Sequence, residues 1–161
     1  MMGSGKSTVG RLLAEKLGFD FYDTDALIEA EHGPISGIFA TNGESHFRQL
    51  ETKTLSDVSL QQGAVIATGG GLPCFADNMS SMQNSGIVIY MSCSIPTLKL
   101  RLTEHTAGRP LINQHNIEER LIGLLKPRRK YYEKAHYTVD GNSDPESVAN
   151  EIMKCLSPND N

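Results

Sequence analysis

The chain has 161 residues, enough for one domain with a continuous core and too few for two independent ones. Its formal net charge of −4 argues against broad binding to nucleic acid or to an anionic membrane surface, which needs a basic face; an anionic ligand must instead meet locally concentrated positive charge. The three cysteines, Cys74, Cys93 and Cys155, are widely spaced and suit reduced structural thiols, and no long apolar run or N-terminal targeting pattern is visible, so a cytoplasmic protein is expected.

The opening stretch Met1-Met2-Gly3-Ser4-Gly5-Lys6-Ser7-Thr8 fits the pattern G-x-x-x-x-G-K-[ST] except for its leading glycine. In such a loop backbone N–H groups cradle phosphates, Lys6 reaches the β- and γ-phosphates, Ser7 Oγ coordinates Mg²⁺, and the following helix points its positive end at the anion. That helix is expected over 7–17, where Val9, Leu12, Leu13 and Leu17 recur at helical spacing before Gly18. A phosphate loop is ordinarily the exit from a buried parallel strand, and no residues here supply one. The sheet is therefore expected to lack its first strand, with the natural start lying upstream, and an open slot would leave backbone groups unpaired.

A short aromatic-rich strand over 19–22 leads to Asp23-Thr24-Asp25, and a helix follows from about 26 until Gly33-Pro34 breaks it near 32. Helical stretches are expected over 37–40 and 44–60. The apolar run 64–67 reads as a buried strand ending in Thr68-Gly69-Gly70-Gly71. A strand over 86–91, a helix over 95–104 and a polar loop over 105–114 come next. Helices over 117–132 and 145–156 then flank a short strand at 137–139. This alternation predicts an α/β fold of three layers, a parallel sheet with helices on both faces.

Asp23 and Asp25 stand two apart at a strand end, the rim where open α/β sheets bind ligands, so both carboxylates can face the phosphate loop. Their repulsion is tolerable beside Mg²⁺, one serving the metal and the other a substrate. The plainer reading makes Asp25 a helix N-cap and Asp23 a turn residue; the loop upstream favours the first. The histidines, His32, His46, His105, His115 and His136, show no metal-ligand spacing, and Tyr131 and Tyr132 read as packing residues with polar tips.

Taken together, these motifs resemble those of the shikimate kinases along nearly the whole chain. Gly3-Ser4-Gly5-Lys6-Ser7-Thr8 is similar to that family's P-loop, Asp23-Thr24-Asp25 to its Asp-x-Asp, Phe47-Arg48-x-x-Glu51 to its Phe-Arg-x-x-Glu, Ala67-Thr68-Gly69-Gly70-Gly71 to its glycine triplet, and Arg109-Pro110-Leu111 to its lid signature. The segment from Arg128 to Tyr132, Glu133 and Ala135 resembles its Arg-x-Pro-Leu-Tyr-Glu, with Lys130 in place of the proline.

The resemblance implies a three-layer P-loop kinase with a substrate-binding segment at about 24–52 and a lid at about 103–116. Its reaction would be transfer of a phosphoryl group from ATP, with Mg²⁺, to shikimate, giving shikimate 3-phosphate and ADP in aromatic amino-acid biosynthesis. It assigns the shikimate carboxylate to Arg48 and Arg128, and contacts with the acceptor to Gly69, Gly70, Gly71 and Asp25. Asp25 is then base or orienting group, Asp23 and Ser7 hold the metal, Lys6 and Arg109 stabilise the phosphates, and Arg101 and Pro145 lie near adenine. A bidentate arginine suits a carboxylate. A related small-molecule kinase, acting on gluconate or a nucleoside monophosphate, shares the loop and lid but not Arg48, the glycine triplet and Arg128. A non-catalytic nucleotide-binding module is the other alternative, supported only by the absent leading glycine and strand. A monomer is expected, since no amphipathic stripe is left over.

Overall fold

The structure, a computed structural model, describes residues 1–105 and 116–157, without the side chain of His105. Helix α1 spans Lys6–Leu17 and ends at Gly18; strand β1 spans Asp20–Asp23; helix α2 spans Thr24–His32. Helix α3 runs over Ile35–Val58 as two helical pieces merged at Gly43, whose φ of 79° explains why the sequence reads as two stretches there. Strand β2 spans Ala64–Ala67, and a 3₁₀ turn at Leu72–Cys74 leads to helix α4, Asn78–Ser85. The sequence gives little sign of α4: its residues are mostly Asn and Ser, poor helix formers, and it folds where Asn78 Nδ2 donates to Leu72 O and to Thr52 Oγ1. Strand β3 (Ile89–Ser92), helix α5 (Ile95–His105), helix α6 (Ile117–Tyr132), strand β4 (Tyr137–Asp140) and helix α7 (Pro145–Leu156) complete the described residues.

Among the described residues, the strands form two separate parallel pairs rather than one sheet. β1 pairs with β2, Asp20 opposite Ala64 through Asp23 opposite Ala67, and β3 pairs with β4, Ile89 opposite Tyr137 through Ser92 opposite Asp140. The expected gap in the sheet thus lies between β2 and β3.

Helices hold the two halves together. On one face α1 and α7 bury Val9, Leu13, Val148, Ala149 and Ile152, and this cluster takes in Val65 from one half-sheet and Ile89, Met91 and Val139 from the other. Gly10 lets α1 lie close to β1, because a Cβ there would stand 2.6 Å from the ring of Phe21. On the opposite face Leu98 of α5, Leu121 and Tyr132 of α6, and Met1 form a second cluster, with Tyr90 of β3 against it. A third, smaller cluster of Ile28, Ile38, Phe47 and Leu50 packs α2 on α3, giving a satellite lobe beside the strand ends.

Candidate active site

The phosphate loop is shaped by its glycines and left open at the helix end. Gly3 and Gly5 have φ of 72° and 82°, backbone states that L side chains resist, and Gly5 stands at the start of α1. No side chain caps α1 and its first turn holds no acidic residue, so its free N–H groups and positive end remain available to an anion. Lys6 Nζ donates to Met1 O at 2.7 Å and to Ser4 Oγ at 3.3 Å, which folds the ammonium back over the loop. Burial pulls its pKa down, and the carboxylates of Asp25 and Asp23 oppose that effect.

Asp23 serves two neighbours at once. Its Oδ1 accepts from the backbone N–H of Asp25 and of Ala26, which makes Asp23 the N-cap of α2, while its Oδ2 accepts from Ser7 Oγ at 2.5 Å. The plainer sequence reading, with Asp25 as cap, is therefore corrected: the helix starts at Thr24, and the cap lies two residues earlier. A hydroxyl and a carboxylate oxygen in contact are hard donors of the kind Mg²⁺ takes with its retained waters, so the pair fits that ion. Among the described residues no group of three or more His, Cys, Asp or Glu side chains is placed to cage a metal.

Freed from capping, Asp25 points toward the glycine triplet. Its Oδ1 is buried without a hydrogen-bond partner, and burial, reinforced by Asp23, raises its pKa above the ordinary carboxylate value. An orphaned buried acceptor of this kind is costly without a ligand. Two of the three glycines are sterically tight: a Cβ on Gly69 would sit 2.5 Å from Asp25 Oδ1 and 2.7 Å from Glu51 Oε1, and one on Gly71 would run into the Arg48 guanidinium. A Cβ on Gly70 would stand 3.5 Å from Arg128 Nη1, so the two arginines and two carboxylates all converge on three residues.

The ring around the triplet is cross-braced. Thr24 Oγ1, fully buried, accepts from Gly69 N–H at 3.0 Å and ties the end of β1 to the end of β2. Arg48 Nη1 donates to Glu51 Oε2 at 2.6 Å, and Nη2 donates to Glu44 Oε1 at 2.8 Å. Glu51 is 1 % exposed; burial raises its pKa and the Arg48 charge counteracts that rise. Tyr132 Oη donates to Gly70 O at 2.6 Å, its ring lies 5.1 Å from that of Tyr90, and burial pushes its pKa up to about 12. Tyr132 is thus more than packing. Thr24 and Tyr132 had no sequence signal beyond their place in motifs, because each acts through one bond to a distant backbone atom. Glu51 was visible in the Phe47-Arg48-x-x-Glu51 motif, three residues after Arg48 on the same helix face, but its burial was not.

Arg101 and the turn before Pro145 meet at the other side of the loop. The Arg101 guanidinium donates to Gly141 O at 2.9 Å, to Ser143 O at 3.0 Å and to Ser4 O at 3.3 Å, joining the phosphate loop to the segment that leads into α7. Thr8 follows Ser7 on the exposed first turn of α1. Arg109 and the rest of the lid signature lie outside the described residues.

A glycine loop opening a helix at the ends of parallel strands, with a lysine and a hydroxyl–carboxylate pair over it, defines a nucleotide-binding α/β protein of the P-loop class. The family profile described as shikimate kinase matches residues 2–157. The chain is 42% identical to the shikimate kinase of Rippkaea orientalis over 159 residues, covering 97% of this chain and 84% of that one, and 43% identical to the shikimate kinase of Gloeobacter violaceus over 158 residues, covering 98% and 89%. Among solved structures, shikimate kinase from Acinetobacter baumannii in complex with shikimate superposes with a TM-score of 0.87 at 39% identity, covering 96% of this chain and 88% of that one. A deoxyadenosine kinase from M. mycoides, 20% identical with a TM-score of 0.59, shares the fold alone. The chain belongs to the shikimate kinase family.

Proposed function

We propose that the chain phosphorylates a hydroxyl of shikimate with ATP and Mg²⁺, giving shikimate 3-phosphate and ADP, and so serves aromatic amino-acid biosynthesis. The observation that carries this reading is the convergence of Arg48, Arg128, Asp25 and Glu51 on the glycine triplet beside an uncapped phosphate loop. The basic side chains there suit one carboxylate, and the orphaned Asp25 Oδ1 suits a hydroxyl donor.

In this reading Gly3, Gly5 and the first turn of α1 hold the phosphates by backbone N–H groups. Lys6 leaves Met1 O for the β- and γ-phosphates, an exchange of one carbonyl for two anionic oxygens. Ser7 and Asp23 would hold Mg²⁺, which would supply charge neutralisation on the phosphates. Arg48 and Arg128 orient the shikimate carboxylate, and the triplet backbone accepts close approach of the ring. Asp25 accepts the proton of the attacking hydroxyl; that oxygen bonds to the γ-phosphorus, and the bond from phosphorus to the bridging oxygen breaks, its electrons leaving with ADP. Arg101 and Pro145 border the nucleotide on the side away from the acceptor. Arg109 carries the lid role that its motif gives it.

The chain is also taken to be a cytoplasmic monomer. Its cysteines are free, and no helix among the described residues is long and apolar enough to cross a membrane. Sedimentation as a stable dimer would overturn the monomer.

The deciding experiment is ADP release with ATP and Mg²⁺, comparing shikimate, gluconate and a nucleoside monophosphate as acceptors. Stimulation by shikimate alone supports the proposal. Stimulation by another acceptor, or nucleotide binding with no turnover on any, would replace it with the related-kinase or the binding-module reading.

A further inference from the structure

Building on the assignment of Arg48 to the acceptor carboxylate, we propose that Glu44 is a resident competitor for that carboxylate: it holds the Arg48 guanidinium while the site is empty, and the acceptor displaces it into water on binding. Arg48 divides its donors between two carboxylates of different character. Nη1 donates to Glu51 Oε2 at 2.6 Å, while Nε and Nη2 donate to Glu44 Oε1 at 3.2 and 2.8 Å. The Glu51 side chain is 1 % exposed and that of Glu44 is 65 % exposed. The edge made by Nε and Nη2 is one of the two-donor forks that a carboxylate fits, and in the empty site Glu44 occupies it.

The two carboxylates differ in what their release costs. Parting Arg48 from Glu51 would strand a buried charge, whereas Glu44 passes into water with little loss, as exposed ion pairs one helical turn apart are weak. Glu44 directly follows Gly43, where α3 breaks with φ 79° and ψ 174°, so it stands at the start of the second helical piece, whose positive end accommodates a released carboxylate. Its hold on Arg48 is also poor in geometry. Both bonds end on the single oxygen Oε1, whereas an incoming carboxylate can offer one oxygen to each N–H. Arg48 keeps its place after the exchange, because Glu51 still holds Nη1 and the guanidinium carbon lies 5.5 Å from the centroid of the Phe47 ring.

Charge favours the same exchange. Arg48 and Arg128 face the carboxyl groups of Asp25, Glu51 and Glu44, and an acceptor carboxylate would add a fourth. Like charges crowded at this spacing repel, and the exposed one is the one able to leave. Glu44 thereby loosens the grip on the acceptor, and equally on its phosphorylated product, which carries the same carboxylate. An uncharged ester of the acceptor has nothing with which to displace it.

The test is calorimetric titration of the whole chain, wild type against Glu44→Gln and Glu44→Ala, with shikimate, with its methyl ester and with ATP alone. The Kd for shikimate should fall by about two- to fivefold in both variants, the range set by one exposed ion pair, while the Kd for the ester and for ATP changes by less than about 1.5-fold. Tighter binding is a result that damage to the fold does not produce. An unchanged or higher Kd for shikimate in the variants, with wild-type binding intact, would overturn the proposal and leave the acceptor reading standing, and so would an equal gain for the ester. Absence of shikimate binding by the wild-type chain would overturn the acceptor reading and this proposal with it.

Discussion

The rim of the strands and the middle of the sheet beneath it are finished to different degrees. At the rim, Asp23, Thr24, Glu51 and Tyr132 each hold a neighbour by a named hydrogen bond, and among the described residues the buried Asp25 Oδ1 is left without a partner. In the middle, two strand edges face a cavity across which no strand pairing is made. The difference teaches that the site's geometry is fixed by short polar cross-links between strand ends and helices, while sheet continuity sets how firmly those ends are anchored. Substitutions at the rim should therefore register in catalysis, and substitutions along the slot should register weakly even in stability.

The largest effect is expected from Asp25→Asn. Turnover should fall by about 10²- to 10⁴-fold, the usual contribution of a positioned base, while ATP affinity stays within about twofold. Loss of both in stopped-flow and binding assays would make Asp25 structural and break the comparison. The same residue has a pH signature. Because its folded pKa is raised, the unfolded chain ionises it first, so its contribution to stability is complete below the ordinary aspartate value and is lost as pH rises toward the folded one. Denaturant unfolding of the ligand-free protein should show this decline, and Asp25→Asn should flatten it.

Next in size is Gly71→Ala, which drives a Cβ into the Arg48 guanidinium. Displacing that group should raise the KM for shikimate by about tenfold or more, with overpacking of about 1–3 kcal/mol and little change in the KM for ATP. An equal rise for both substrates would place the arginine outside the acceptor site.

A sharper test of the slot pairs Val139→Ala with Val65→Ala. Val139 is 1 % exposed in the closed part of the core, whereas Val65 borders the cavity and is only half-buried. The first should cost about 1–3 kcal/mol in urea unfolding and the second less than half as much, because fewer contacts are lost where a void already exists. Equal costs would mean that the slot is closed in solution. The smallest effect is expected from Tyr132→Phe, which removes the hydroxyl from Gly70 O. It should cost about 1 kcal/mol and raise the KM for shikimate a few-fold with kcat nearly unchanged.

Much of this was legible in the chain. The helices at 117–132 and 145–156 and the strand at 64–67 follow from apolar period and from Pro and Gly punctuation, and the structure gives them the same limits. The phosphate loop was also local, being a run of consecutive residues. Other features needed the fold. Asp23 caps α2 through local bonds from the N–H groups of Asp25 and Ala26, but that its second oxygen meets Ser7 Oγ depends on a different element arriving there. That Glu51 is buried beside Arg48, that Tyr132 reaches Gly70 across 62 residues, and that α4 forms from a polar segment were likewise decided by partners brought from afar. Sequence by itself determined which residues favour helix, strand, turn or phosphate contact, because those preferences act within a few bonds. Only the tertiary structure decided which polar atoms find partners and which, like Asp25 Oδ1 and the edges of β2 and β3, do not, because pairing and burial depend on chain segments that are distant in sequence.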